Sequence, residues 1–370
     1  MQDSNRSTRP LMPVAVVFAV LALIAILAVG VYPAYIRPVL HGGATASSTQ
    51  TPPQQRPSEP PRLPKDRRDV PYAADPNGPY PRSLKQAAAA AEADGRSEDG
   101  ALLRMMATAP FASWWSDKGD LHGHIKADLA YANKVKRPAL QVIYRIPGRD
   151  CGLYSSAEAS ADAASYLNEL RNYVKLVNAV GANVITILEP DALTQFVDPR
   201  RPECAQRNPG RLELLAQAVG VLKSSHHVTV LIDAGNAGWL DSDLMVPALR
   251  KAGLQKADGV ADNVANAKDT DASVAYGLDL VESFRHKIVL VDTGRNGLGP
   301  YTDGDPNWTW CNPPGRAFGA FPTTQTGNAQ VMYAWVKLQG ESDGDCQRGD
   351  PPPGTLMADY LIEQVKRSRW

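Results

Sequence analysis

The chain has 370 residues, long enough for one large domain with appendages. Its 39 basic residues balance 39 acidic ones, which argues against a polyanion such as nucleic acid as partner. No Gly-x-Gly-x-x-Gly or Walker pattern occurs, so no cofactor is expected.

Residues Leu11 to Val31 form an uncharged apolar run, with Arg6 and Arg9 before it and Arg37 after it. About 20 apolar residues cross a bilayer. The cationic residues ahead of the run favour a cytoplasmic N-terminus and an exported body. The run is longer than the apolar core of a cleaved signal, and no small-x-small site follows closely. The expectation is an uncleaved signal-anchor over residues 1–40, with a long cleavable signal as the alternative. The body is then either anchored in the membrane at the cell surface or secreted after cleavage. From 41 to about 82 the chain is rich in Pro, Ser, Thr and Gln, the composition of a disordered, partly polyproline II tether. "LKQAAAAAEADG" then starts a first helix. Residues 41–99 are read as linker and first helix, and 100–370 as the folded body.

Cys151, Cys204, Cys311 and Cys346 all lie in that body. Export places them in an oxidising space, so two disulfides are expected among three possible connectivities. The local pairs Cys151–Cys204 and Cys311–Cys346 are favoured, each contributing about 4 kcal/mol in the loop-entropy picture. No metal is expected: Cys-x-x-Cys is absent, and His122/His124 and His226/His227 lack a third ligand.

Along the body, apolar runs end in polar groups. "ALQVIYRIPGRDC" ends near Tyr144 and Asp150, and "NVITILEPDAL" in Glu189 and Asp191. "HVTVLIDAGNAGWL" ends in Asp233, and "DGVADNVANA" in Asn263 and Asn266. "KIVLVDTGRNG" ends in Asp292, and "YAWVKLQGESDGD" in Lys337, Glu341 and Asp343. Helical patterns lie between them, which predicts a parallel sheet covered on both faces. Polar groups delivered to one end of many strands predict an α/β fold of TIM-like barrel type with its site at the C-terminal mouth. A single Asp after a strand is more often a helix cap; five such strands together argue for a site.

These motifs, in this order and joined by "WCNPPGRAFG" and "PTTQTG", resemble glycoside hydrolase family 6, the inverting cellulases. The resemblance runs from about Trp114 to the C-terminus. It implies a distorted seven-stranded β/α barrel and the same two local disulfides. Position by position it implies Asp191 as general acid and Asp150 as the second carboxylate, which keeps that acid protonated. It implies Tyr144 at the cleavage subsite, where the sugar is distorted, and Asp343 as general base. Asp233 matches a position at the floor of the cleft. Asn236, Trp239, Asn266, Trp310, Lys337 and Glu341 match sugar-binding positions, and Ser155 and Ser156 match the loop that places the water. Inverting hydrolysis needs a protonated acid and a base on the opposite face, roughly 6.5–9.5 Å apart. Partial burial and an ionised Asp150 would both raise the pKa of Asp191.

Trp239 and Trp310, beside Gly turns at strand ends, suit stacking on sugar faces. Trp335, inside a strand, suits the core, and Trp114 and Trp115 fit either role. Ser242 stands where the family has a second tryptophan. The connection from the "GESDG" motif to Cys346 is a single residue, Asp345, which implies an open cleft and cleavage in mid-chain. The function expected is an endo-β-1,4-glucanase, a monomer acting on β-1,4-glucan. The alternatives are a catalytically weak surface glucan-binding protein and an exo-acting cellobiohydrolase.

Overall fold

The computed structural model describes residues 61–152, 159–305 and 308–370. The Leu11–Val31 run lies outside them, and among the described residues no helix is long and apolar enough to cross a membrane.

Two helices open the described chain, α1 (Pro79–Ala93) and α2 (Ser97–Met106). Seven strands follow: β1 (Ser113–Trp115), β2 (Ala139–Ile143), β3 (Val184–Leu188), β4 (Val228–Asp233), β5 (Gly259–Asp262), β6 (Ile288–Asp292) and β7 (Val331–Ala334). They form one sheet, ordered β1 to β7 and parallel throughout. Between the strands lie α3 (His124–Val135), α4 (Ala163–Val180), α5 (Ala192–Val197), α6 (Pro202–Arg207), α7 (Arg211–Leu222), α8 (Ser242–Lys251) and α9 (Thr270–Val281). The chain closes with α10 (Ala358–Arg367).

Helix α4 shows how the sequence writes these elements. Asp162 caps it by accepting from the Ser165 N–H at 2.7 Å, and Gly181 ends it in the left-handed conformation at φ 68°. Its buried residues, Tyr166, Leu167, Leu170, Tyr173, Val174 and Val177, follow the helical period. The strands split by the period of two. In β3, Val184 and Leu188 join the helix-facing core with Leu170, Val177 and Leu215. Ile185 and Ile187 pack with Leu140, Val142, Leu231 and Leu290 on the other face. Both faces are covered, so the strands read as unbroken apolar runs.

Of the expected barrel, the structure shows a curled, parallel, seven-stranded half-barrel. Its edges meet at one parallel bridge, Phe111–Trp335, where the Ala112 N–H donates to the Trp335 carbonyl at 3.1 Å. The seam is filled from outside by a third core of Leu84, Leu103, Phe111, Phe318, Trp335, Leu361 and Val365. Strand β1 is three residues long, too short to stand out in the sequence, whose clear runs number six.

Packing begins well before residue 100. Leu63, Val70 and Tyr72 are buried, and Ala73 bridges Ala139 beside β2. The Tyr72 hydroxyl donates to the Pro110 carbonyl at 2.6 Å and accepts from the Trp335 N–H at 3.1 Å, so it spans the seam. Composition hid this segment: a few anchors among Pro and charged residues leave its average that of a linker.

Candidate active site

The strand-end acids divide into two kinds. Glu189 is 1% exposed, and its carboxyl accepts from the Arg145 and Ile146 N–H groups at 3.0–3.1 Å. Asp292 accepts from four backbone N–H groups, those of Gly294, Ala265, Val336 and Lys337, at 2.9–3.1 Å. These two acids tie neighbouring loops to the sheet. Burial raises the pKa of Glu189 to about 7, partly offset by those backbone bonds.

Asp191 is placed differently. Pro190 sits between Glu189 at φ 53° and Asp191 at φ 67°, both left-handed. Such backbone is costly for side chains with a Cβ and persists where the surroundings over-determine it. The Asp191 N–H donates to Asp233 Oδ1 at 2.9 Å, and the Gly235 N–H shares that oxygen at 3.1 Å. Burial first, then the charges of Asp150 and Asp343, push the Asp191 carboxyl up to about 7; Arg201 and Arg295 pull the other way. Asp233, 1% exposed, is driven well above the carboxylate range by burial and by Asp191. Its Oδ2 is buried without a hydrogen-bond partner.

On the β2 side, the Tyr144 hydroxyl donates to Asp150 Oδ1 at 2.5 Å. The Arg149 guanidinium lies 4.5 Å from the Tyr144 ring centroid, and Trp114 meets the same ring edge-on at 5.8 Å. Asp150 and Cys151 are both left-handed, and Cys151 is bonded to Cys204 beside α5.

On the β7 side, Asp343 is doubly ion-paired. Arg295 Nη1 lies 2.7 Å from Oδ2 and Lys337 Nζ 2.9 Å from Oδ1. The Asn312 N–H adds a third bond to Oδ2 at 2.9 Å. Burial opposes ionisation, but the two cations win and hold the carboxyl well below the usual range. Lys337 is spent on Asp343; burial raises Glu341 to about 7, with Lys337 opposing. Arg295 also donates to the Trp310 carbonyl at 3.2 Å. Cys346 closes onto Cys311, next to Trp310 and Asn312.

Trp310 is 43% exposed and stacks on Trp308 with ring centroids 6.0 Å apart. Trp239 is half-buried, its indole N–H held by Asp198 Oδ2 at 2.9 Å. Trp335 is fully buried.

With this geometry in place, three comparisons converge. The model of glycosyl hydrolases family 6 matches residues 71–365. Endoglucanase A of Cellulomonas fimi is 35% identical over 279 residues, covering 74% of this chain and 57% of that protein. This chain belongs to glycosyl hydrolase family 6. Endoglucanase 1 of Streptomyces halstedii is 33% identical over 307 residues, covering 79% of this chain and 89% of that one. Among solved structures, the endoglucanase Cel6 of Mycobacterium tuberculosis, in complex with methyl-cellobiosyl-4-deoxy-4-thio-β-D-cellobioside, aligns with a TM-score of 0.65 at 30% identity. That match covers 80% of this chain and 96% of the other.

Asp191 lies within electrostatic reach of both Asp150 and Asp343; Tyr144 is hydrogen-bonded to Asp150, Lys337 is paired with Asp343, and Glu341 lies near Lys337. Asp233 and Asn236, expected among sugar-binding residues, are 1% and 4% exposed. Neither is presented at the surface, and Asp233 spends Oδ1 on the backbone of Asp191 and Gly235. The Asn266 amide donates to the Val264 carbonyl at 3.0 Å. Ser155 and Ser156 lie outside the described residues. Sequence reading missed Arg295, Asn312 and Asp198. Arg295 sits inside the quoted "KIVLVDTGRNG" run, where a cation three residues after the strand-end Asp292 was the available signal.

Proposed function

We propose that the chain is an endo-β-1,4-glucanase that hydrolyses internal bonds of cellulose or a related β-glucan with inversion. One observation carries this reading: Asp191 is buried at a strand end beside the charges of Asp150 and Asp343, which together with burial raise its pKa to about 7, so that a large share of it keeps its proton up to neutral pH. A protonated acid is what the leaving glucosyl oxygen requires. Asp191 donates that proton. Asp150, hydrogen-bonded to Tyr144, and Asp343 face the positive charge that grows on the sugar ring. Because Arg295, Lys337 and the Asn312 N–H occupy its oxygens, Asp343 is a weak proton acceptor in the resting enzyme. The attacking water's proton still needs an acceptor on the face opposite Asp191, and Asp343 is the carboxylate proposed for it: a weak base at rest, it takes that proton as positive charge develops on the attacking water.

Trp310, an exposed indole, supplies a stacking face; Trp239 and Glu341 supply further sugar contacts, while Lys337 acts through its ion pair with Asp343. The tight connection Gly344–Asp345–Cys346, pinned by the disulfide to Cys311, supports an open cleft and mid-chain cleavage. Two disulfides and the Leu11–Val31 run support export, with the N-terminal run as membrane anchor and the residues before 61 as tether. The meeting of β1 and β7 at the seam supports a distorted barrel closed at that point.

The test is viscometry of a soluble cellulose derivative with the wild type and Asp191→Ala. A steep fall in viscosity with little cellobiose, abolished in the variant, is expected. Cellobiose as the main early product would overturn endo action, and equal activity of the two proteins would overturn the site.

A further inference from the structure

Asn312 belongs to no role assigned so far, yet it is the most connected side chain around Asp343. It is 6% exposed and left-handed at φ 39°. Its backbone N–H donates to Asp343 Oδ2 at 2.9 Å, and its side-chain Oδ1 accepts from the Asp343 N–H at 2.7 Å. The two residues thus bind each other reciprocally. Its Nδ2 lies within hydrogen-bond distance of Ser342 Oγ at 3.2 Å, the Gly344 carbonyl at 3.1 Å and Asp350 Oδ2 at 3.0 Å. These partners flank Asp343 on both sides in sequence.

The same short segment carries other functions. Trp310, two residues earlier, is the exposed indole, and its carbonyl accepts from Arg295, the guanidinium that pairs Asp343. Cys311 is bonded to Cys346 and is further held by Arg348, which donates to its carbonyl at 3.0 Å. On the far side, the Tyr360 hydroxyl donates to the Pro313 carbonyl at 2.7 Å. Every residue from 310 to 313 is therefore fixed to something; Trp310 reaches the carboxylate through Arg295, and Asn312 binds Asp343 directly.

We propose that Asn312 is a positioning residue: it holds Asp343 in line with Arg295 and Lys337 and joins that carboxylate to the Trp310 platform. Asparagine suits the position chemically. It tolerates left-handed backbone better than most residues. Its amide offers an acceptor to the Asp343 N–H and donors to the carbonyl, hydroxyl and carboxylate around it. Aspartate would keep the acceptor, lose the donors and set a charge against Asp350.

The catalytic part of this inference rests on the function proposed above; the electrostatic part does not, and the experiment separates them. Asn312→Gly keeps the backbone conformation and the backbone N–H while deleting the side chain. In the full chain labelled with 13C at aspartate carboxyls, the Asp343 resonance is expected to titrate well below the ordinary range in the wild type and to move up in Asn312→Gly. Identical titration in both proteins would overturn the proposal whether or not the protein cleaves glucan. On a soluble cello-oligosaccharide, kcat is expected to fall about 10- to 100-fold with KM changed by less than about threefold, the pattern of a misplaced group rather than a lost contact. A rise in KM alone, with wild-type kcat, would also overturn it. If Asn312→Gly does not fold, Asn312→Asp is read in the same two ways. A wild type that neither binds nor cleaves glucan sinks the proposed function, and the titration then decides the positioning role by itself.

Discussion

The backbone N–H of Asp191 donates to Oδ1 of Asp233 across 42 residues of sequence, at 2.9 Å. The acid proposed to donate the proton is thus oriented through its main chain by a second, fully buried acid. Asp233→Asn keeps an oxygen in that place and is expected to retain most of kcat. Asp233→Ala removes the pin and leaves a left-handed Asp191 without its support; a loss on the order of 100-fold in kcat is expected. Steady-state kinetics on one soluble substrate compares the two. Equal losses would argue that Asp233 matters for its charge rather than for the hydrogen bond.

The alkaline limb of activity should belong to Asp191, with a midpoint near 7. Burial is the first cause and the charges of Asp150 and Asp343 are the next. Removing either negative charge makes Asp191 easier to ionise, so Asp150→Asn and Asp343→Asn should each shift that limb to lower pH. The profile of kcat/KM against pH for the residual activity checks this. A limb that stays in place in both variants would assign it to another group.

Two tryptophans should respond in opposite ways. Trp310→Ala, at an exposed indole, should raise KM about tenfold, the equivalent of about 1.4 kcal/mol, with little change in melting temperature. Trp335→Ala, at a ring packed among Phe111, Phe318, Phe321 and Trp370, should cost about 3–5 kcal/mol of stability. Kinetics and denaturant unfolding on both variants make the comparison. Loss of stability in Trp310→Ala without a change in KM would remove it from the cleft.

Stability should fall from mildly acid to neutral pH. Burial raises Asp128 to about 6 and Glu189 and Glu341 each to about 7. Each binds its proton more tightly folded than unfolded, so its contribution is complete below the unfolded value near 4 and fades as pH rises through the folded one. Asp343 acts in the other direction: its contribution is present above about 4 and fades as pH drops toward its lowered folded value. Calorimetry from pH 5 to 8 should show a falling melting temperature. Asp128→Asn, which keeps an acceptor for the Gln141 amide, should flatten the curve around pH 6. A melting temperature that climbs over this range would show that other groups dominate.

Much of this architecture is legible in the chain, and the reasons for the rest are physical. Runs such as "VITIL" are apolar on both faces because each face is covered, and that survives in sequence. What a strand-end acid does is not written there. Glu189 and Asp191 are two residues apart, yet one binds backbone amides and the other stands among charges, because their left-handed backbones turn them apart. Arg295 and Asp343 pair across 48 residues, and neither carries a local mark of the other. Asn312 is the same case: its role lies in five polar contacts, all of them with residues beyond 340. The N-terminal segment failed for a different reason, since Tyr72 does its work with one hydroxyl amid linker-like neighbours.

That hydroxyl has a mechanical consequence. The Leu63–Ala73 segment is tied at several points: Arg67 donates to the Thr108 carbonyl at 2.5 Å, Arg137 to the Arg68 carbonyl at 2.9 Å, and the Ala73 N–H to the Pro138 carbonyl at 2.8 Å beside β2. Tyr72 is the tie that reaches Trp335 at the seam, where a single bridge holds the edges, and it acts there as a rivet.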